Sequence, residues 1–193
     1  MKILAFADPH FNEKIPKKLI DKAKNVDIVV CAGDFTKFGM NFDKIMRDFL
    51  KFKKPVCLVH GNHEEGEDFK KLPKQIKHLH KKGFVFGDYL FVGYGGGGFS
   101  ERYPDLEEMI PKINKRKDNK KVIFVTHAPV YGTTTDYLEH AGHVGSKSAL
   151  KFIKEVKPML VICGHIEENF GQIDHVGKTI IILPNDTGRI IEV

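Results

Sequence analysis

The sequence predicts an α/β protein with a mostly parallel core and extra antiparallel strands toward the C-terminus. Strand-like apolar runs alternate with helix-like segments along the 193 residues, the pattern of βαβ units. Most of these runs are continuously apolar, as strands covered on both faces are. The polar residues best suited to bind ligands fall just past the ends of the runs, where open α/β sheets carry their sites.

The first strand is Lys2–Ala7, whose lysine is followed by the run ILAFA. A helix follows over 16–24; Pro16 suits its first position because the missing N–H is not needed there. Asp27–Cys31 is the second strand, 41–52 a helix with Asn41 as its cap, and Val56–Val59 the third strand. The pattern over 67–82 reads as helix with a break at Pro73. Tyr89–Tyr94 is strand, 105–115 helix and Lys121–Thr126 strand. Ser146 caps a helix over 146–157. Met159–Cys163, Thr179–Leu183 and a segment near Arg189–Val193 complete the strands. No repeat or linker divides the chain, and Gly93–Gly98 (GYGGGG) is the nearest approach to low complexity. A single domain over 1–193 is expected.

Composition narrows the class. Apolar residues are 41% and charged residues 29%, a globular balance that excludes extended disorder. The apolar runs are too short to span a bilayer, so no membrane partner is expected. The first residues, MKILAFADPH, lack the form of a signal peptide. Net charge is +6, almost all of it from lysine. Such a balance attracts phosphate-bearing partners, yet the longest basic run is Lys115-Arg116-Lys117, too short for a dedicated nucleic-acid tail. Cys31, Cys57 and Cys163 lie in or beside β-branched runs and match no zinc spacing. They are expected to be buried and reduced, which points to the cytoplasm.

The chemistry gathers at strand ends. Asp8 and His10 follow the first strand, Asp34 the second, and Asn62 and His63 the third. His127 follows Lys121–Thr126, and His165 and Glu167 follow Met159–Cys163. Imidazole and carboxylate are donors for divalent transition metals. The set exceeds what one tetrahedral zinc needs. It suits two ions that share a carboxylate, acidify a bridging water toward hydroxide and neutralise phosphate oxygens.

These residues also form ordered motifs. Asp8-Pro9-His10 resembles D-x-H, Gly33-Asp34 resembles G-D, and Gly61-Asn62-His63-Glu64 resembles G-N-H-[DE]. His127 stands where a lone metal-binding histidine is found, and Gly164-His165-Ile166-Glu167 resembles G-H-x-H. Together they resemble the signature of the calcineurin-like metallophosphoesterases, over residues 1 to about 190. The segment from His127-Ala128-Pro129 through Gly142–Ser146 is similar to the small archaeal and bacterial members. The resemblance implies a four-layer α/β/β/α sandwich of two mixed β-sheets flanked by helices. It also implies a first metal held by Asp8 and His10, Asp34 as bridge, and a second metal held by Asn62, His127 and His165. His63 would face the scissile phosphate as the catalytic group, as general acid or electrostatic partner.

Glu167 departs from that pattern, which has a histidine there. Either its carboxylate completes the first site, giving a harder site suited to Mn²⁺ or Fe²⁺, or the longer side chain misses and the first site is loose. Mn²⁺ is the first choice of ion, with Fe²⁺, Ni²⁺, Co²⁺ and Zn²⁺ as the other candidates. Further substrate-binding candidates are Asn62 and His63 themselves, Gly96 in the Gly95–Gly98 run, His143 and Arg102. The Gly run is equally a flexible turn, and Arg102 would clamp a phosphate. The expected function is metal-dependent hydrolysis of small phosphodiesters, or of phosphomonoesters. The rival readings are a scaffold that keeps the fold without efficient catalysis, and a nuclease.

Overall fold

A computed structural model describes residues 1–98 and 100–193. The elements are β1 (Lys2–Phe6), α1 (Lys17–Ala23), β2 (Ile28–Cys31), α2 (Phe42–Asp48), β3 (Val56–Leu58), β4 (Ile76–His78), β5 (Lys82–Phe86) and β6 (Tyr89–Tyr94). Next come α3 (Pro104–Arg116), β7 (Lys121–Thr126), β8 (Tyr137–Leu138), β9 (Gly142–His143) and α4 (Lys147–Val156). The chain finishes with β10 (Leu160–Ile162), β11 (Ile173–Val176), β12 (Thr179–Ile182) and β13 (Arg189–Glu192). One sheet has the order β13-β1-β2-β3-β4 and the other β11-β12-β10-β7-β6-β5; β8 and β9 form a separate small hairpin.

Side-chain alternation along the strands explains the layering. In β1, Leu4 and Phe6 face outward and pack with Leu19 and Ala23 of α1 and Ile45 of α2. Ile3 and Ala5 of the same strand face the second sheet, where Ile123 and Val125 of β7 and Ile162 of β10 meet them. On the far side, Val122 and Phe124 turn to Ile110 of α3 and Phe152 of α4, with Phe124 stacked on Phe152 at 4.2 Å. Both faces of these strands are therefore covered, which is why their sequences run apolar without alternation. Each fully buried Leu, Ile or Phe contributes about 1.5–3 kcal/mol. The four-layer α/β/β/α arrangement implied by the motif resemblance is the one formed.

The β1–β2–β3–β4 and β6–β7–β10–β12 pairings are all parallel. Antiparallel partners sit at the edges: β13 on β1, β11 on β12 and β5 on β6. Parallel strands point their C-terminal ends the same way, so the loops after β1, β2 and β3 emerge along one edge. Those after β7 and β10 emerge together from the other sheet.

The helix expected over 67–82 does not form. Pro73 ends any helix there, and Ile76–His78 instead pairs with Val56–Leu58 as β4. Phe69, Leu72, Ile76 and Leu79 fall at helix-like intervals, but they bury against different partners. Phe69, Leu72 and Ile76 join the outer core under α1 and α2, and Leu79 lies between the sheets. Lys82–Phe86 then forms a hairpin with β6 through the Gly87-Asp88 turn. Among the caps, Ser146 Oγ accepts the Ala149 N–H at 3.0 Å as expected. Asn41 sits at φ 59° with no capping bond, because its side-chain amide donates to the Asn12 carbonyl instead. Pro16 falls one residue before α1 rather than inside it.

Candidate metal centre

The loops that leave β1 and β2 run side by side for several residues. Asp8 N–H donates to the Gly33 carbonyl, His10 N–H to Asp34 and Phe11 N–H to Phe35. This holds Asp8, His10 and Asp34 in register. From the opposite sheet, His127 is fully buried and its Nδ1 donates to the Ala32 carbonyl at 2.9 Å, bridging the sheets. Asp8, His10, Asp34 and His165 lie at φ 50°, 42°, 47° and 78°. A non-glycine residue costs about 1 kcal/mol or more in that region, and such strain concentrates at functional sites. Anchors to neighbouring loops hold it: Asp8 Oδ2 accepts from His165 N–H at 2.8 Å, and Asp34 Oδ1 accepts from His63 N–H at 2.9 Å.

The motif glycines make room for the donors. A Cβ on Gly61 would lie 1.9 Å from Asp34 Oδ1. One on Gly33, which has φ 103°, would lie 2.5 Å from His127 Nδ1. Only glycine lets these backbones approach the donor side chains so closely.

Two donor groups result. His10, Asp34 and His63 turn ligand-type atoms to within 4.8 Å of one another, and so do Asp34, His127 and His165. Asp34 belongs to both. His127 donates through Nδ1, so a neutral ring presents the Nε2 lone pair. That lone pair faces Asn62 Oδ1 at 3.0 Å and Asp34 Oδ2 at 3.6 Å. His10 repeats the arrangement. Its Nδ1 donates to the Thr36 carbonyl at 3.1 Å, and its Nε2 faces Glu167 Oε1 at 3.2 Å. Asp8 Oδ1 is buried without a hydrogen-bond partner among the described residues, and such an orphan is costly unless an ion binds it. Burial raises the Asp8 carboxyl well above its usual range, with the Asp34 charge adding to it. Burial lowers His127, and it lowers His165 to about 4, so both rings are neutral donors near pH 7. Converging lone pairs, a clustered set of carboxylates and an unpaired buried oxygen are what a cation site requires.

His63 lies beside His10 and Asp34. Its ring is 4.5 Å from that of His10 and its Nε2 is 3.9 Å from Asp34 Oδ2. Two neighbours have no role assigned from the sequence, Glu64 being only the last letter of its motif. Glu64 is buried; its Oε1 accepts from Thr36 N–H and Oγ–H at 2.8 and 2.6 Å, and its Oε2 accepts from Gly61 N–H at 3.0 Å. It therefore ties the Asn62-His63 turn to the loop after Asp34, and burial raises its carboxyl to about 7. The capping pattern Gly-Asn-His-Glu, with an acid three residues after the cap, was the available signal. Phe38 stacks on His63 at 3.9 Å, and no sequence pattern marks it.

The remaining candidates lie apart from the donor groups. Gly96 has φ 81° and donates its N–H to the His60 carbonyl at 2.7 Å. It lines a cavity of about 430 Å³ with His60, Glu65, His80 and Tyr94. His143 pairs through Nδ1 with buried Asp136 at 2.8 Å and opens on a different cavity beside Asn169 and Gln172. Arg102 is turned to Glu107 at 3.5 Å. Cys31, Cys57 and Cys163 are free thiols buried in the core. No helix among the described residues is long and apolar enough to cross a membrane.

Comparison with known proteins bears on the fold and the family. The uncharacterized protein MJ1162 of Methanocaldococcus jannaschii is 31% identical over 96% of this chain and 88% of its own length. The crystal structure of TT1561 from Thermus thermophilus superposes with a TM-score of 0.68 at 18% identity, covering 96% of this chain and 89% of that one. A dimetal phosphatase from Danio rerio gives 0.60 at 13% identity, covering 97% and 88%. The family model for calcineurin-like phosphoesterases matches residues 1–168, and the chain belongs to that family.

Proposed function

We propose that this protein is a metal-dependent phosphoesterase that hydrolyses phosphodiesters in preference to monoesters. The observation that carries the reading is the position of Asp34, whose carboxylate belongs to both donor groups and lies between the two sheets. Asp8, His10 and Glu167 would hold one ion, Asn62, His127 and His165 the other, and Asp34 both. Two bound divalent cations supply charge neutralisation at the phosphate and an acidified water as nucleophile.

The chain's own groups do the rest. The Thr36 and Ala32 carbonyls fix the tautomers of His10 and His127, leaving Nε2 of each ring as the donor. Glu64 holds the Asn62-His63 turn against the Asp34 loop. His63, beside His10 and Asp34, carries a proton to the leaving oxygen or stabilises its charge. His10 Nε2 and Glu167 Oε1, 3.2 Å apart, would serve one ion together. Mn²⁺ is the ion we favour for such an oxygen-rich site.

The experiment is hydrolysis of bis(4-nitrophenyl) phosphate with added Mn²⁺, Ni²⁺ or Co²⁺. Turnover that disappears in Asp34→Ala is expected. No turnover with any ion, or an undiminished rate in Asp34→Ala, would reject the reading.

A further inference from the structure

Phe38 is 78% exposed, and Met40 of the same loop is 55% exposed. Large apolar side chains in water at the mouth of a polar site need an explanation. One face of the Phe38 ring lies on His63, with centroids 3.9 Å apart and planes 21° apart. The exposure leaves the other face open to solvent.

This placement is built into the loop. Phe38 sits at φ 47° and the following Gly39 at φ 74°. Glu64 accepts from both the N–H and the hydroxyl of Thr36, and Thr36 Oγ accepts the Gly39 N–H at 3.1 Å. Phe38 N–H reaches His63 Nδ1 at 3.4 Å, and Met40 N–H donates to the Lys37 carbonyl at 2.9 Å. Gly39 packs so close to Glu67 that a Cβ would lie 2.2 Å from its carboxylate. The loop thus spends strained backbone on holding a phenyl ring outward beside the group that faces the leaving oxygen. A ring held this way can stack a planar partner at little cost in ordering.

We infer that Phe38 is a stacking platform for the leaving group, so that the site favours phosphoesters whose leaving alcohol carries an aromatic ring. The inference rests on the hydrolase reading above. An alcohol departing past His63 meets the Phe38 ring next, and aromatic partners stack on such a ring whatever their hydrogen-bonding edges.

Phenylphosphonate and methylphosphonate differ only in the ring and are not hydrolysed. Their affinities for the Mn²⁺-loaded protein are measured by calorimetry in wild type, Phe38→Leu and Phe38→Trp. Phenylphosphonate is expected to bind about tenfold more tightly than methylphosphonate to wild type and to Phe38→Trp. In Phe38→Leu the preference falls to within about twofold while methylphosphonate affinity is unchanged, the loss being that of stacking alone. Equal affinities in wild type, or equal weakening of both ligands by Phe38→Leu, would overturn the platform. In the second case Phe38 only positions His63. Failure of both phosphonates to bind would overturn the platform, while the hydrolase reading stands or falls by turnover. Absence of turnover with every phosphoester would overturn the hydrolase reading and the leaving-group role of Phe38 with it, whereas turnover accompanied by equal phosphonate affinities would overturn the platform alone.

Discussion

His63 and Glu167 are the residues whose roles turn on single atoms. His63 belongs to one of the two donor groups, with its ring against that of His10. A proton donor lost from that position lowers kcat by about 10²–10⁴-fold. His63→Ala is expected to do so while retaining both ions in metal analysis. The penalty should be smaller for a 4-nitrophenyl ester, whose leaving oxygen needs little protonation, than for a phenyl ester. A loss of metal from His63→Ala would make it a ligand instead. Glu167→His restores the imidazole of the related motif. It is expected to shift metal preference away from Mn²⁺ toward softer ions, read as occupancy and rate across the metal series. A variant indistinguishable from wild type in every metal would place Glu167 outside the coordination shell. Asp8, His10, Asp34, Asn62, His127 and His165 were legible in the sequence because their side chains have ligand chemistry and each follows a strand. Glu64 and Phe38 were not. The value of Glu64 depends on Thr36, brought near by folding, and Phe38 is set apart by an exposure that no sequence pattern reveals.

At the scale of elements, the interior strands were legible, whereas among the edge segments β13 was read and β4, β5 and β11 were not. β1, β2, β3, β7 and β10 announce themselves through continuous apolar runs, because a sheet and a helix layer cover them on opposite faces. β4 and β11 lie at sheet edges, where one side lacks a pairing partner and the sequence is correspondingly polar. Pairing with β3 decided β4, and that long-range contact overrides local helical spacing. β4 also brings His78 beside His60 and His80. Their ring nitrogens meet at 2.9 Å for His60–His78, and His78 stacks on Phe69 at 3.9 Å. Burial holds His78 down to about 3, with repulsion from His60, His80 and Lys82 adding to it. An imidazole in the unfolded chain titrates near 6.5. Between about pH 6.5 and 3 the unfolded state therefore binds a proton that the folded state refuses. Stability is present above that window and falls as pH drops through it. The half-buried ring is screened, so the contribution is on the order of 1 kcal/mol. His78→Phe is expected to flatten the fall of Tm between pH 6.5 and 4 relative to wild type. An unchanged slope would show that the histidine cluster does not report folding.

The whole molecule consists of two sheets held face to face by an apolar core and, at one edge, by polar residues from both. Asp8, His10, Asp34 and Asn62 come from the sheet that contains β1, and His127 and His165 from the sheet that contains β7. Cations bound among them would cross-link the layers where the apolar core ends. The outer cores and the inter-sheet core are built from apolar side chains rather than from these donors. Chelation is therefore expected to leave the circular dichroism spectrum intact while lowering Tm. A ligand that binds only the folded state stabilises it by about 2.7 kcal/mol at a hundredfold excess over Kd. For a chain of this length that corresponds to a rise of roughly 5–11 °C. Asp34→Asn is the informative variant, since it removes the carboxylate common to both donor groups while keeping its volume. It should hold the metal-free Tm close to wild type and abolish most of the rise with Mn²⁺. Protection from hydrogen exchange should also fall at the ends of β1 and β10, where Asp8 and His165 meet, and not at the opposite edge. A full rise in Asp34→Asn would mean that the sheets are clamped independently of that carboxylate, and a dinuclear centre bridged by Asp34 would then be untenable.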